Sequence, residues 1–217
     1  MVATSILIAM SSAAPDPARR RGGRRGGTAD TRGDILRAAR EQFAAGYEAT
    51  SVRGVARGAG VDPSLIVQFF GGKDGLFKAV LDDAIRPDEG IRPALAGGTG
   101  EIGPRLAAYF FGIWEDPARR PPFQAMLVSA ASNAAAAEVL RQFVRDEVIA
   151  RLSLAIGGGA GSELRAELAG SHLIGTALVR YVYRIPPLCD VPLEDVVGPV
   201  GRAIQGYLTD DLPAAER

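Results

Sequence analysis

His172 and Cys189 are the only imidazole and the only thiol in the chain. A structural zinc site needs about four such ligands, and no hydroxyl or acid accompanies His172 at a spacing that suggests a catalytic triad. The glycine cluster at residues 157–161 lacks the Gly-Lys-Ser/Thr sequence of a phosphate-binding loop. We therefore expect no metal, no cofactor and no disulfide. A small helical enzyme with His172 as general base stays as an alternative, although few groups are present to assist it.

The composition is that of a chain that folds around an apolar core. Its 217 residues are 47% hydrophobic with a formal net charge of zero, which fits one large domain or two small ones. No apolar run approaches the roughly 18–20 residues of a membrane helix. The N-terminal arginines follow the short apolar run Ile6–Met10 instead of preceding it, which disfavours a secretion signal. We expect a cytoplasmic protein without a membrane partner.

Charge is distributed unevenly along the chain. Residues 1–27 carry five arginines and one acid, Asp16, for a net charge of +4, whereas residues 28–85 carry −1 and residues 86–217 carry −3. The Arg/Gly-rich start is too polar to fold alone and is interpreted as a disordered basic arm. Two readings of this arm stay open: a solvated tail, and an arm that lies along phosphates or in a minor groove.

Two amphipathic helices are predicted in the first third of the chain. Ile35, Ala39 and Phe43 recur at helical spacing, and this helix should end near Gly46. A second, short helix should open after Ser51, whose hydroxyl can cap the free amides of the first turn. Both helices are expected to bury one apolar face.

A third helix is predicted after the segment Gly60–Pro63. The glycine suits a left-handed turn, Asp62 suits the N-cap, and Pro63 suits the first helical position. Ile66, Phe69 and Phe70 are expected to face inward, and the residues left to point outward or to the rim are Ser64, Leu65, Val67 and Gln68. Two short helices joined by a tight turn, with a helix behind them, are typical of a helix-turn-helix.

The segment from Thr31 to Leu81 resembles the DNA-binding domain of the tetracycline-repressor-like (TetR) family of bacterial transcriptional regulators. The ordered motifs ILxAAxxxF, GYxATSV, VAxxAGV and FxxKxxLF carry this resemblance. Less specifically, WEDPARRPPF and RYVYRIPPLCDVPLEDVVGPVGRAIQGYLTDDL resemble C-terminal domains of actinobacterial members. The resemblance implies a homodimer of all-α chains, an N-terminal DNA-binding domain, and a larger C-terminal domain for dimerisation and effector binding.

Position by position, the resemblance assigns phosphate contacts to Ser51 and Lys73, with Thr50 as an additional contact. A helix N-terminus such as that at Lys73 also suits an anion on electrostatic grounds.

The resemblance assigns the reading of base edges to Ser64 and Gln68, with Leu65 at the groove floor. Glutamine can pair bidentately with adenine. Family members usually carry Tyr and His late in this helix, where this chain has Val67 and Phe69. Val67 can offer a base only an apolar contact.

The remaining two thirds are predicted to be a Gly/Pro-containing linker followed by helices. The linker runs past Pro87 and Pro93 to Gly103–Pro104, and helical stripes then cover residues 102–114, 123–130, 140–152, 164–182 and 193–208. Taken with the family, the last two helices are the dimer interface, two from each chain. Without the family, packing within one chain would explain the same stripes equally well.

An effector pocket is expected among the apolar and aromatic residues of these helices. The candidate lining residues are Phe110, Ile113, Trp114, Met126 and His172.

The predicted architecture is a basic arm at 1–27, a three-helix DNA-binding domain at 28–85 whose fourth helix links it to the rest, and a helical effector and dimerisation domain at 86–217. The predicted function is a repressor that binds a pseudo-palindromic operator in double-stranded DNA. A small, largely apolar effector releases it by moving the fourth helix. The alternatives are an interaction adaptor whose degenerate head no longer binds DNA, suggested by Val67 and Phe69, and the small enzyme considered above.

Overall fold

A computed structural model describes residues 30–210, and every regular element in that range is helical. The helices are α1 (Thr31–Phe43), α2 (Val52–Ala59), α3 (Pro63–Phe70), α4 (Lys73–Ile85), α5 (Pro87–Ala96), α6 (Ile102–Glu115), α7 (Arg120–Ser132), α8 (Ala134–Phe143), α9 (Ala150–Ala155), α10 (Ser162–Ala177) and α11 (Glu194–Thr209). A turn of wider π-helix joins α8 to α9, and another extends α10 to Val182.

Helices α1 to α4 enclose one apolar cluster. Ile35 from α1, Ile66 from α3 and Phe77 from α4 are fully buried in it. The ring of Phe43 meets that of Phe77 edge to face, with centroids 5.1 Å apart. This is the arrangement that the apolar spacing predicts.

The outward position of Phe69 corrects the predicted inner face of α3. Ile66 is fully buried, but Phe69 is 46% exposed. The next residue, Phe70, is half-buried and carries the Arg32 guanidinium 5.2 Å from its ring centre. Successive residues point about 100° apart around a helix. Because α3 packs against the protein on one side only, it cannot bury both Phe69 and Phe70.

Helix α5 corrects the predicted linker. Pro87 occupies the first turn, where its fixed backbone angle suits a helix, and Asp88 and Glu89 lie there too, next to the positive end of the dipole. Ile91 and Ala94 are buried against the rest of the protein. This burial stabilises the helix even though Pro93, inside it, gives up one backbone hydrogen bond.

Helices α6 and α11 approach each other closely through glycine. A Cβ built on Gly103 would lie 2.3 Å from the Gly201 carbonyl oxygen and 2.6 Å from the Gln205 backbone nitrogen. The Gly103 N–H donates to the Gln205 side-chain oxygen at 2.8 Å. The close approach of α6 and α11 therefore depends on Gly103 having no side chain.

We expect Gly103→Ala to lower the free energy of unfolding by about 1–3 kcal/mol, because two backbones must move apart. Gly112 is the matched control in the same helix, since a Cβ there meets nothing within 4 Å. Gly112→Ala should raise the free energy of unfolding by about 0.5–1 kcal/mol through helix propensity. Urea unfolding of both variants tests this, and equal effects of the two substitutions would contradict it.

The predicted basic arm, residues 1–27, lies outside the described residues. Within residues 30–210, no helix is long and apolar enough to cross a membrane.

Candidate nucleic-acid interface and apolar cavity

The two helices of the helix-turn-helix are capped by local side chains. The Ser51 hydroxyl accepts a hydrogen bond from the Gly54 N–H at 3.0 Å, as predicted for the N-cap of α2. Gly60 ends α2 in the left-handed conformation, with φ of 68°. Asp62 then caps α3 by accepting from the Ser64 N–H at 2.8 Å. The turn between the helices is thus set by residues within it.

The cap also determines what Ser64 can offer to a base. Its hydroxyl donates to the Asp62 carboxylate at 2.6 Å. That bond, together with the one from the Ser64 N–H, lowers the pKa of Asp62. With its proton engaged, the Ser64 oxygen presents lone pairs and acts as an acceptor.

The outward face of α3 carries the side chains assigned to base edges. Ser64 and Gln68 are exposed and Leu65 is half-buried at the rim. Val67, 55% exposed, lies on the same side. This combination of a hydroxyl, an amide and apolar groups can read hydrogen-bonding base edges and thymine methyl groups.

Lys73 begins α4 and is held over an aromatic ring. Its Nζ lies 4.1 Å from the ring centre of Tyr47. The Tyr47 hydroxyl donates to Asp74, and burial together with that bond raises the pKa of Tyr47. Tyr47 was given no role by sequence reasoning. A neutral tyrosine under the ammonium group restricts where Lys73 can reach.

Thr50 is placed differently from the other assigned contacts. The residue is 2% exposed and its Oγ1 donates to the Gly46 carbonyl at 2.9 Å. The structure thus gives Thr50 a part in closing the loop before α2. A residue this buried does not present its hydroxyl to a DNA phosphate.

A cavity of about 100 Å³ lies between α4 and the C-terminal helices. Tyr109 is the single lining residue whose side chain has a polar atom. The others are Ile85, Ile91, Leu106, Phe110, Ile113, Phe123, Leu127, Leu140, Val144, Val148, Ile149, Leu152, Ala169, Gly170, Leu173 and Ile174. Such a cavity favours an apolar ligand.

Two of the five residues expected in the pocket line this cavity, namely Phe110 and Ile113. Trp114 and Met126 are fully buried in the core instead, and the Trp114 ring stacks on Tyr181 with centroids 5.1 Å apart. His172 faces α11, where its ring centre is 5.9 Å from that of Tyr207. These three residues lie outside the lining because helix rotation directs them to other neighbours.

A polar joint connects the cavity to the end of α4. Arg119 donates from Nε to the Ala84 carbonyl at 2.7 Å and from Nη2 to the Ile85 carbonyl at 3.3 Å. It also donates to the Tyr109 hydroxyl at 3.2 Å, and that hydroxyl donates to the Arg86 carbonyl at 3.2 Å. Sequence reasoning missed this joint, which depends on contacts between distant segments.

Two profiles of known protein families match the sequence. The sequence profile described as the tetracyclin repressor-like C-terminal domain matches residues 100–208, half of the chain. The profile described as bacterial regulatory proteins of the tetR family matches residues 35–80. The chain belongs to the TetR family. TetR-family proteins are transcriptional regulators, so this chain is a DNA-binding regulator and the enzyme alternative is set aside.

Solved structures agree with the assignment to TetR. A TetR-family regulator from Streptomyces coelicolor has 35% identity, covering 87% of this chain and 100% of that one, with a TM-score of 0.62. A transcriptional regulator from Rhodococcus has 25% identity over 83% and 98% of the two chains, with a TM-score of 0.53. SmeT, solved with triclosan, shares the fold at 18% identity over 86% and 97%, with a TM-score of 0.58. No curated protein sequence matches the chain.

Proposed function

We propose that this TetR-family regulator is a repressor released from its operator by a small apolar effector. The observation that carries the proposal is the position of Ile85, which is the last residue of α4 and also lines the apolar cavity. Helix α4 begins at Lys73, beside the DNA-reading face. A ligand in the cavity therefore touches the helix that carries the reading head.

The size of the cavity supports a mechanism based on expansion. Pockets for drug-sized ligands have volumes of about 300–1,000 Å³, whereas this cavity has about 100 Å³. A ligand larger than a single ring must push the lining helices apart, and Ile85 is on one of them. SmeT, which shares the fold, was solved with triclosan. We propose an uncharged, mostly hydrocarbon effector for this chain as well.

A homodimer fits the open faces of the last two helices. A Cβ built on Gly175 of α10 would meet nothing within 4 Å, and Leu164 is 52% exposed. Pairing α10 and α11 across a two-fold axis would cover this surface. Two recognition helices then enter successive major grooves of a pseudo-palindrome, about one helical turn apart or somewhat more.

In this proposal, residues 28–85 bind DNA and residues 86–217 bind the effector and dimerise, in the cytoplasm at the nucleoid.

Selection of binding sites from random DNA, followed by fluorescence anisotropy, tests operator recognition. The proposal expects a two-fold symmetric consensus and saturable binding in excess competitor DNA. A library of uncharged apolar compounds is then screened for release of the selected DNA. Sequence-blind binding, or release by charged compounds alone, would contradict the proposal.

We expect Tyr109→Phe to weaken the coupling between the cavity and DNA. The substitution keeps the ring in the cavity wall but removes the hydroxyl that joins Arg119 to Arg86. The Kd of N-phenyl-1-naphthylamine, an uncharged fluorophore, is measured with and without saturating operator. In wild type the two values should differ by about 5–150-fold, and in Tyr109→Phe their ratio should move towards one.

Tyr181→Phe is the matched control for this measurement. Its hydroxyl is also hydrogen-bonded, to Glu115 at 2.6 Å, but it contacts neither α4 nor the apolar cavity. The coupling ratio of this variant should equal that of wild type. A Tyr109→Phe variant with the wild-type ratio would remove the joint from the mechanism.

A further inference from the structure

We propose that a second, polar cavity binds a small oxyanion, with the donors that suit a carboxylate or a phosphate. It has a volume of about 150 Å³ and lies between the start of α7 and the segment that follows α10. Its lining residues are Arg120, Arg180, Tyr181, Arg184 and Cys189. It shares none of these residues with the apolar cavity or with the DNA-reading face.

The lining of this cavity holds three arginines and no carboxylate, which gives it a net positive charge. Among residues 30–210, none of them lies within 4 Å of a carboxylate oxygen in an ion pair. Glu115 and Asp190 lie next to the lining and keep their negative charges, since they accept only from neutral donors, the Tyr181 hydroxyl and the Cys189 thiol at 3.2 Å. The three arginines still outnumber these two acids. Guanidinium groups match carboxylate and phosphate oxygens through paired N–H donors.

Arg180 is held in place before any ligand arrives. Its Nη1 donates to the Leu188 carbonyl at 2.6 Å and to the Val191 carbonyl at 2.9 Å. Its Nε is buried and has no hydrogen-bond partner among the described residues. The Nη1 bonds therefore fix the guanidinium beside the cavity, where it contributes its positive charge without a hydrogen bond from Nε.

Arg184 reaches the cavity from a backbone conformation that a side-chain-bearing residue seldom adopts. Its φ is 53°, in the left-handed region. Such conformations persist where the surrounding structure determines them, and they are concentrated at ligand sites. The volume of about 150 Å³ is several times the roughly 30 Å³ that one water molecule occupies in the liquid, so a phosphate or a carboxylate group fits.

Cys189 supplies a direct test, because it lines the cavity and is the one thiol in the chain. Its alkylation rates with iodoacetate, an anion, and with neutral iodoacetamide are compared in the full-length protein at low ionic strength. Both reagents attack the same thiolate, so the ratio of the rates does not depend on the thiol pKa. We expect this ratio to exceed that of free cysteine by about threefold or more, because a positive cavity concentrates anions.

The arginines are then removed one at a time. Arg120→Gln and Arg184→Gln should each lower the ratio towards that of free cysteine, whereas Arg145→Gln, an exposed arginine of the π-helical turn, should leave it unchanged. Inorganic phosphate and acetate should each slow the alkylation of Cys189 by iodoacetamide more than sodium chloride does at the same ionic strength. The stronger protector identifies the preferred oxyanion.

Three results would overturn the proposal. One is a rate ratio equal to that of free cysteine. Another is protection by phosphate and acetate that is no better than that by chloride. The third is a Cys189 that neither reagent reaches in the native protein, since a closed cavity cannot admit an anion. As an independent check, phosphate should raise the melting temperature of wild type, but not of Arg184→Gln, beyond the chloride control.

Discussion

Gln68→Ala is expected to abolish operator discrimination at one base pair in each half-site. A bidentate glutamine–adenine pair accounts for about 1–3 kcal/mol of discrimination. Two recognition helices in a dimer double this to about 2–6 kcal/mol, or a loss of affinity of roughly 30-fold to 20,000-fold. Gln68 is exposed on α3, whose inner side is anchored by the fully buried Ile66, so the substitution should leave the fold intact.

Three measurements separate a lost base contact from other causes of weak binding. Gln142→Ala, the same substitution at an exposed position of α8, should keep wild-type affinity. The salt dependence of Gln68→Ala should equal that of wild type because no phosphate contact is lost, whereas Lys73→Gln should flatten it by about 0.9 log unit for each lost contact. When operators are mutated one base pair at a time, replacing the contacted A·T pair should weaken the affinity of wild type but not that of Gln68→Ala.

The reading head could be predicted because its determinants lie close together along the chain. The Ser51 cap, the left-handed Gly60 and the Asp62–Pro63 start of α3 each act within a few residues. Ile66 is buried as its spacing indicates. Phe69 was predicted wrongly because hydrophobicity alone does not reveal how many neighbours a short helix has.

The C-terminal part was harder to predict because its determinants are distant contacts. Proline and glycine indicated a linker where α5 forms, since nothing local reveals that Ile91 and Ala94 find a surface to cover. Along α6, Phe110 and Ile113 line the apolar cavity, but Trp114 stacks on Tyr181, which lies beyond α10 in the sequence. Hydrophobic periodicity identifies which face of a helix is buried, but it does not show which buried residues border a cavity between helices.

The boundary of the apolar cavity itself can be tested through stability. Ile113 is 1% exposed and lines the cavity, so Ile113→Ala should lower the free energy of unfolding by about 2–5 kcal/mol and enlarge the cavity. Met126 is the matched control, because it is fully buried yet outside the lining. Met126→Ala should therefore cause a loss of similar size.

The two variants should differ in their response to an apolar ligand. An engineered apolar cavity of about 150 Å³ stays dry and accepts benzene, and a ligand that binds only the folded state stabilises it by mass action. Benzene should therefore raise the melting temperature of Ile113→Ala more than that of wild type, and that of Met126→Ala no more than that of wild type. Equal recovery in both alanine variants would mean that benzene fills any deleted core volume, which would contradict the assignment of the cavity beside α4 as the effector site. Selective recovery in Ile113→Ala would show that benzene binds in the cavity that Ile113 and Ile85 both line. Because Ile85 ends α4, an apolar ligand in that cavity would contact the helix that carries the DNA-reading head.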